Sequence, residues 1–134
     1  MNFSPSIEPG LYMRTSNPIS PGAFVRFQPS AQTLDWHRNL SRTEGSGTFT
    51  KPVSQIGPFS ICSSEGGSLQ LDGVELPRST LKPRFIGVGE CSEFDGEYFF
   101  ALATRVPNSF DSRHYGPVPI SSVDGVFLPV VTCD

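Results

Sequence analysis

The chain has 134 residues and a formal net charge of −3, with 10 Lys and Arg against 13 Asp and Glu. This length predicts one domain with a substantial core, and the charge balance argues against a nucleic-acid-binding face. No run of 18 apolar residues is present to span a bilayer. The 13 Gly and 13 Pro favour short strands joined by turns over a mostly helical protein.

Seven segments have the alternation or the apolar character of β-strands. In chain order they are residues 23–28, 48–56, 59–62, 68–76, 84–88, 97–104 and 126–131. Residues 31–40 are the one segment with helical character. The pattern predicts a mainly β single domain, residues 1–134, of short antiparallel strands with at most one short helix.

Three of these segments carry more specific signals. Pro52 predicts that segment 48–56 is an edge strand or contains a bulge, because proline lacks a donor for the ladder. The pair Asp72-Gly73 predicts a hairpin turn inside segment 68–76. The nearly continuous apolar run of segment 97–104 predicts a strand that is buried on both faces.

Two serines, Ser4 and Ser6, flank Pro5 near the start of the chain. Such a segment is most often a turn or a frayed terminus. A serine hydroxyl there becomes a nucleophile only if a base removes its proton. The functional interpretation therefore depends on where a base lies.

Histidine and lysine are the candidate bases. His37 lies in the helical segment and is typical of a surface residue, whereas His114 follows Asp111 by three residues, a tight spacing for a Ser-His-Asp triad. Lys82 lies in a loop and is typical of a solvated residue. Lys51 lies inside a strand segment, where burial would lower its pKa by roughly three units, about 4 kcal/mol, and leave a neutral amine able to act as a general base.

The three cysteines, Cys62, Cys91 and Cys133, have a wide and irregular spacing that does not match a zinc site. From their number alone, one disulfide with a free thiol and three reduced thiols both remain open.

Several sequence blocks occur in the order found in one protease family. They are S-P-S-I-E-P-G-L-Y, P-G-A-F-V-R-F, F-T-K-P-V-S-Q-I-G-P, L-Q-L-D-G-V-E-L, G-E-Y-F-F-A-L-A and N-S-F-D-S-R-H-Y-G-P-V. Together they resemble the signal peptidase I family of Ser-Lys proteases, and most closely its TraF-type conjugative-transfer peptidases. The resemblance implies a signal-peptidase-like β-fold, a serine endopeptidase activity and no metal or cofactor.

The resemblance assigns a role to each candidate residue. Ser6 would be the nucleophile and Lys51 its base, with the Ser4 side chain and the Ser6 N–H as oxyanion donors. Ser109 would orient the Lys51 amine, and Asp111 and Arg113 would form an ion pair that fixes the segment. His114 stands where the family usually has tyrosine and could tune the site.

The resemblance also implies a setting. We expect the soluble catalytic part of a protein that is anchored in the bacterial inner membrane, with its catalytic domain in the periplasm and near the membrane surface. That compartment permits a disulfide, for which Cys62–Cys91 is the first choice. The implied substrate is an exported preprotein such as a conjugative pilin precursor, and both hydrolysis and cyclising transfer stay open.

Two alternatives remain at this stage. The chain could be a non-catalytic β-rich binding or pilus-assembly module of the same fold. It could also be a hydrolase that uses His114 as its base, in which case loss of the Lys51 amine would leave activity largely intact.

Overall fold

The computed structural model describes residues 12–41, 47–79, 81–104 and 109–129. Within these ranges the protein is mainly β, as the sequence predicts, with two antiparallel sheets and two α-helical segments. The strands are β1 (Tyr12–Thr15), β2 (Phe24–Phe27), β3 (Phe49–Ile56), β4 (Phe59–Ser64), β5 (Ser68–Leu71), β6 (Val74–Glu75), β7 (Cys91–Phe94), β8 (Tyr98–Ala101), β9 (Val118–Pro119) and β10 (Val123–Pro129). The helices are α1 (Ala31–Ser41) and the single turn α2 (Ser112–Tyr115).

The larger sheet has six strands in the order β1-β10-β2-β3-β8-β9, and the smaller sheet has four in the order β6-β5-β4-β7. The hairpin of β5 and β6 turns at Asp72 and Gly73, whose φ angles of 50° and 83° are the pair of positive values that a type I′ turn requires. The predicted hairpin is therefore confirmed.

Strand β3 lies inside the six-stranded sheet, so the edge position that Pro52 suggested is wrong. The alternative, a bulge, is confirmed by a register shift between Val53 and Gln55. The Val53 N–H donates to the Ala23 carbonyl at 2.8 Å, and the Val53 carbonyl accepts the Gly22 N–H at 2.9 Å. Both groups of Val53 therefore face the side of β3 on which β2 lies. The Pro52 nitrogen therefore faces β8 beyond the last residue of that ladder, so the missing N–H breaks no ladder bond.

The strand predicted over residues 84–88 is also wrong, because this segment is a loop. Within it the Arg84 N–H donates to the His114 carbonyl at 3.0 Å, and directly after it the Gly89 N–H donates to the Ser63 carbonyl at 2.7 Å. Gly89, at a φ of 82°, turns the chain. The neighbouring strand is instead β7, which pairs with β4.

Two apolar cores meet at β8. Phe99 belongs to a first core with residues of β2, β3 and α1, whereas Phe100 belongs to a second core with residues of β4 and β5. Both phenylalanine side chains are fully buried, so the prediction of a strand buried on both faces is confirmed. Strand β8 thus fixes the larger sheet against the smaller one.

A disulfide joins Cys62 of β4 to Cys91 of β7, which confirms the pairing that the resemblance implied. The two cysteines face each other directly in the β4–β7 register. Cys133 lies outside the described residues. In the described part of the chain, no helix has the length and apolar character needed to cross a membrane.

Candidate active site around Lys51

Lys51 lies on the face of β3 that packs into the first core. Along β3 the residues Phe49, Lys51 and Val53 are buried and alternate with partly exposed neighbours, as the two-residue period of a strand requires. Only 7% of Lys51 is exposed. Its amine nitrogen lies 6.0 Å from the centroid of the Phe49 ring, so the strand carries the amine into an aromatic environment.

Burial lowers the pKa of Lys51 from 10.5 to about 8. Desolvation is the largest cause, because burial disfavours the charged ammonium. The carboxylate of Asp111 raises this pKa and the guanidinium of Arg113 lowers it. Lys51 is therefore close to these two residues, and about half of the molecules carry a neutral amine at a mildly alkaline pH.

Asp111 and Arg113 form a buried ion pair at the start of α2. The Asp111 carboxylate accepts bonds from the Arg113 side chain at 2.9 and 3.0 Å and from the Arg113 backbone N–H at 3.0 Å. It also accepts the Ala103 N–H at 2.9 Å. The Asp111 side chain is fully buried, and this set of donors compensates its lost hydration.

Two serines attach the same segment to the chain at the end of β8. The Ser112 hydroxyl accepts the Ala101 N–H at 2.9 Å. The Ser109 hydroxyl donates to the Ala103 carbonyl and accepts a bond from Arg113 at 3.2 Å. Because Ala101 pairs with Val53 of β3, the segment lies beside the strand that carries Lys51.

His114 completes this segment as a neutral residue. Its Nδ1 atom accepts the Asp111 N–H at 3.1 Å, so its Nε2 atom carries the proton and donates to the Ser79 hydroxyl at 2.8 Å. Burial is the main cause that lowers its pKa to about 4. The Nδ1 lone pair is occupied by the Asp111 N–H, and the Nε2 atom already carries a proton. Neither ring nitrogen is therefore available to take a proton from a serine hydroxyl, which argues against His114 as the base of a Ser-His-Asp triad.

The structure adds His37 to the surroundings of Lys51. Its ring lies 4.9 Å from Phe49 and 5.5 Å from Phe110. Burial, and then the charge of Lys51, lowers its pKa. The interpretation of His37 as a surface residue was therefore wrong: it is half-buried, because α1 packs on the core through Trp36. No local sequence pattern predicts the contacts of His37 with Phe49 and Phe110, or the hydrogen bond between Ser79 and His114.

Among the predicted site residues, the structure brings together Lys51, Ser109, Asp111, Arg113 and His114. Ser4 and Ser6 lie outside the described residues. In the described ranges no group of His, Cys, Asp or Glu side chains converges to hold a metal ion. No family model and no curated protein matches the chain.

Proposed function

We propose that the protein is a serine endopeptidase with a Ser6–Lys51 dyad that processes exported preproteins, with a conjugative pilin precursor as the expected class. The observation that carries this proposal is the buried Lys51 amine beside the buried Asp111–Arg113 pair. A lysine whose pKa falls to about 8 can act as a general base near neutral pH. Perturbed groups of this kind concentrate at functional sites.

In the proposed reaction the neutral Lys51 amine takes the proton of the Ser6 hydroxyl as the oxygen attacks the scissile carbonyl. The Ser4 hydroxyl and the Ser6 N–H donate to the oxyanion. The Lys51 ammonium then returns the proton to the leaving amine, which gives an acyl-enzyme and a neutral base. Water, activated by Lys51, or an amine of the substrate resolves the acyl-enzyme by hydrolysis or by cyclising transfer.

The Ser109 contacts support a role in orienting the lysine. The Ser109 hydroxyl donates its proton to the Ala103 carbonyl, and one lone pair of its oxygen accepts a hydrogen bond from the Arg113 guanidinium. The oxygen therefore has a second lone pair with which it could accept a bond from the nearby ammonium. The Asp111–Arg113 pair fixes this oxygen, because Arg113 bonds both Ser109 and Asp111.

The proposed setting is the periplasmic face of the bacterial inner membrane, where the substrate is a membrane-associated preprotein. The Cys62–Cys91 disulfide supports this setting, because disulfides persist in oxidising compartments and are rare in the cytosol.

The experiment is incubation of the protein with a candidate pilin precursor and with a secretory preprotein, followed by intact-mass measurement of the products. We expect the wild type to release a peptide, and Ser6→Ala and Lys51→Met to release none. Ser16→Ala and Lys82→Met are matched controls, since Ser16 and Lys82 are exposed. A hydrolysed product is heavier than a cyclised one by one water molecule.

Processing that survives in the Lys51→Met variant would contradict the dyad. The pH dependence gives a second readout, because the rate should rise as the Lys51 amine loses its proton through pH about 8. A wild type that binds the precursor without releasing a product, with binding unchanged in both variants, would instead favour the non-catalytic module.

A further inference from the structure

Arg84 is held in place at its backbone. It lies in the loop that follows β6 and crosses α2, where its N–H donates to the His114 carbonyl at 3.0 Å. The next residue, Phe85, packs so closely on Gly116 that an added Cβ would lie 2.9 Å from the ring. Earlier in the loop, the Pro77 carbonyl accepts a bond from Arg113 at 3.1 Å. The loop is thus fastened to the segment that carries the buried ion pair.

The Arg84 side chain is also held, yet its hydrogen-bond donors have no partner among the described residues. The guanidinium carbon lies 3.9 Å from the centroid of the Trp36 ring, a stacked cation–π contact. Arg84 is exposed. In the described part of the chain, no carboxylate lies at ion-pair distance from this guanidinium and no acceptor bonds it. Beneath it, the Trp36 indole N–H is buried without a hydrogen-bond partner among the described residues.

A chain of buried aromatic rings connects this guanidinium to the surroundings of Lys51. The Trp36 ring contacts Phe110 at 4.9 Å, Phe110 lies 6.0 Å from Phe49, and Phe49 lies 6.0 Å from the Lys51 amine. An extended peptide advances about 3.3 Å per residue. An extended segment of about seven residues is therefore as long as this chain of contacts from the Lys51 amine to the Arg84 guanidinium.

We propose that Arg84, stacked on Trp36, is a recognition site for a carboxylate side chain of an extended peptide substrate. The planar fork of an arginine matches a carboxylate with two parallel hydrogen bonds. Stacking on Trp36 restricts the guanidinium before the ligand arrives, which lowers the entropic cost of forming those bonds. The peptide assignment rests on the proposed protease function, because it takes the substrate to run past Lys51.

The test uses alanine-rich decapeptides in which one Glu is moved along the sequence, each paired with the same peptide carrying Gln. Binding is measured on the Ser6→Ala variant by NMR titration of the Arg84 Nε–H signal, so that no turnover is needed. At one position we expect the Glu peptide to bind about tenfold more tightly than its Gln partner, as for a single charge-assisted bidentate contact.

Arg84→Gln should abolish this preference. Arg38→Gln should keep it, because Arg38 is an exposed arginine in the last turn of α1. Thermal melting of both variants shows that the fold is retained. Equal binding of the Glu and Gln peptides, or a preference that survives in Arg84→Gln, would overturn the proposal.

Two further arms separate this inference from its alternatives. Binding to phosphatidylglycerol vesicles over phosphatidylcholine vesicles that depends on Arg84, without any Glu preference, would overturn the peptide assignment in favour of a membrane contact. A Glu preference that depends on Arg84 in a protein that fails every processing assay would uphold the carboxylate site and refute the protease function alone.

Discussion

Replacement of Lys51 by methionine should stabilise the protein at neutral pH. The pKa of Lys51 falls from 10.5 to about 8 in the folded state, and each pKa unit corresponds to about 1.36 kcal/mol. The buried ammonium therefore destabilises the folded state by about 3 kcal/mol when it is charged. Methionine fills a similar volume and has no ionisable group, so the variant does not have this destabilisation.

The sign of the pH dependence follows from proton binding. Below pH about 8, folded and unfolded Lys51 are both protonated and the full penalty is present. Between about 8 and 10.5 the unfolded chain binds a proton that the folded chain has lost, so wild-type stability rises with pH. The advantage of Lys51→Met should be about 3 kcal/mol near pH 7 and should shrink as the pH approaches 10.5.

The assay is urea denaturation across this pH range, followed by the fluorescence of Trp36, the single tryptophan and a buried one. Lys82→Met is the matched control and should not reproduce the gain expected of Lys51→Met, because Lys82 is exposed. If the difference between wild type and Lys51→Met does not vary with pH, the amine is not buried as described and the argument for a lysine base is refuted.

Two other stability measurements test the segment beside Lys51. Lowering the pH from 6.5 to about 4 should reduce the free energy of unfolding by about 3 kcal/mol through His114. In this range His114 binds a proton in the unfolded chain but stays neutral in the folded protein. Urea denaturation of His114→Gln should lack this pH-dependent loss. Arg113→Met should cost about 3–5 kcal/mol by leaving the carboxylate of Asp111 buried and unpaired. The matched control Arg26→Met, which breaks an exposed pair, should cost under about 1 kcal/mol, and equal losses in the two variants would contradict the buried pair.

The sequence predicts the parts of the fold that local chemistry determines. The Asp72-Gly73 turn needs only two residues that tolerate positive φ, and β8 follows from a nearly continuous apolar run. The helix α1 coincides with the one segment that has helical character. The short strands β1, β7 and β9 were not predicted. The residues of β7 are mostly exposed and show no alternation, so only pairing with β4 makes them a strand.

The wrong predictions have tertiary causes. Residues 84–88 have strand-like composition, but the bond from Arg84 to the His114 carbonyl fixes them as a loop. Pro52 is compatible with an inner strand only because its nitrogen faces the end of the β8 ladder. Lys51 and Asp111 could be singled out from sequence, whereas the approach of His37 and Ser79 depends on contacts between distant segments.

The two lowered pKa values in this site have different physical explanations. His114 is neutral near pH 7, and both its ring nitrogens make bonds that hold α2 and Ser79 in place, so a structural role accounts for it. Lys51 is different, because its pKa of about 8 leaves much of the amine charged at neutral pH, in a place where burial opposes charge. A domain of this size has a total stability of about 5–15 kcal/mol, of which that penalty is a large fraction. An apolar residue would avoid this penalty, and the proposed role of the amine as a general base gives a reason for a lysine at this position.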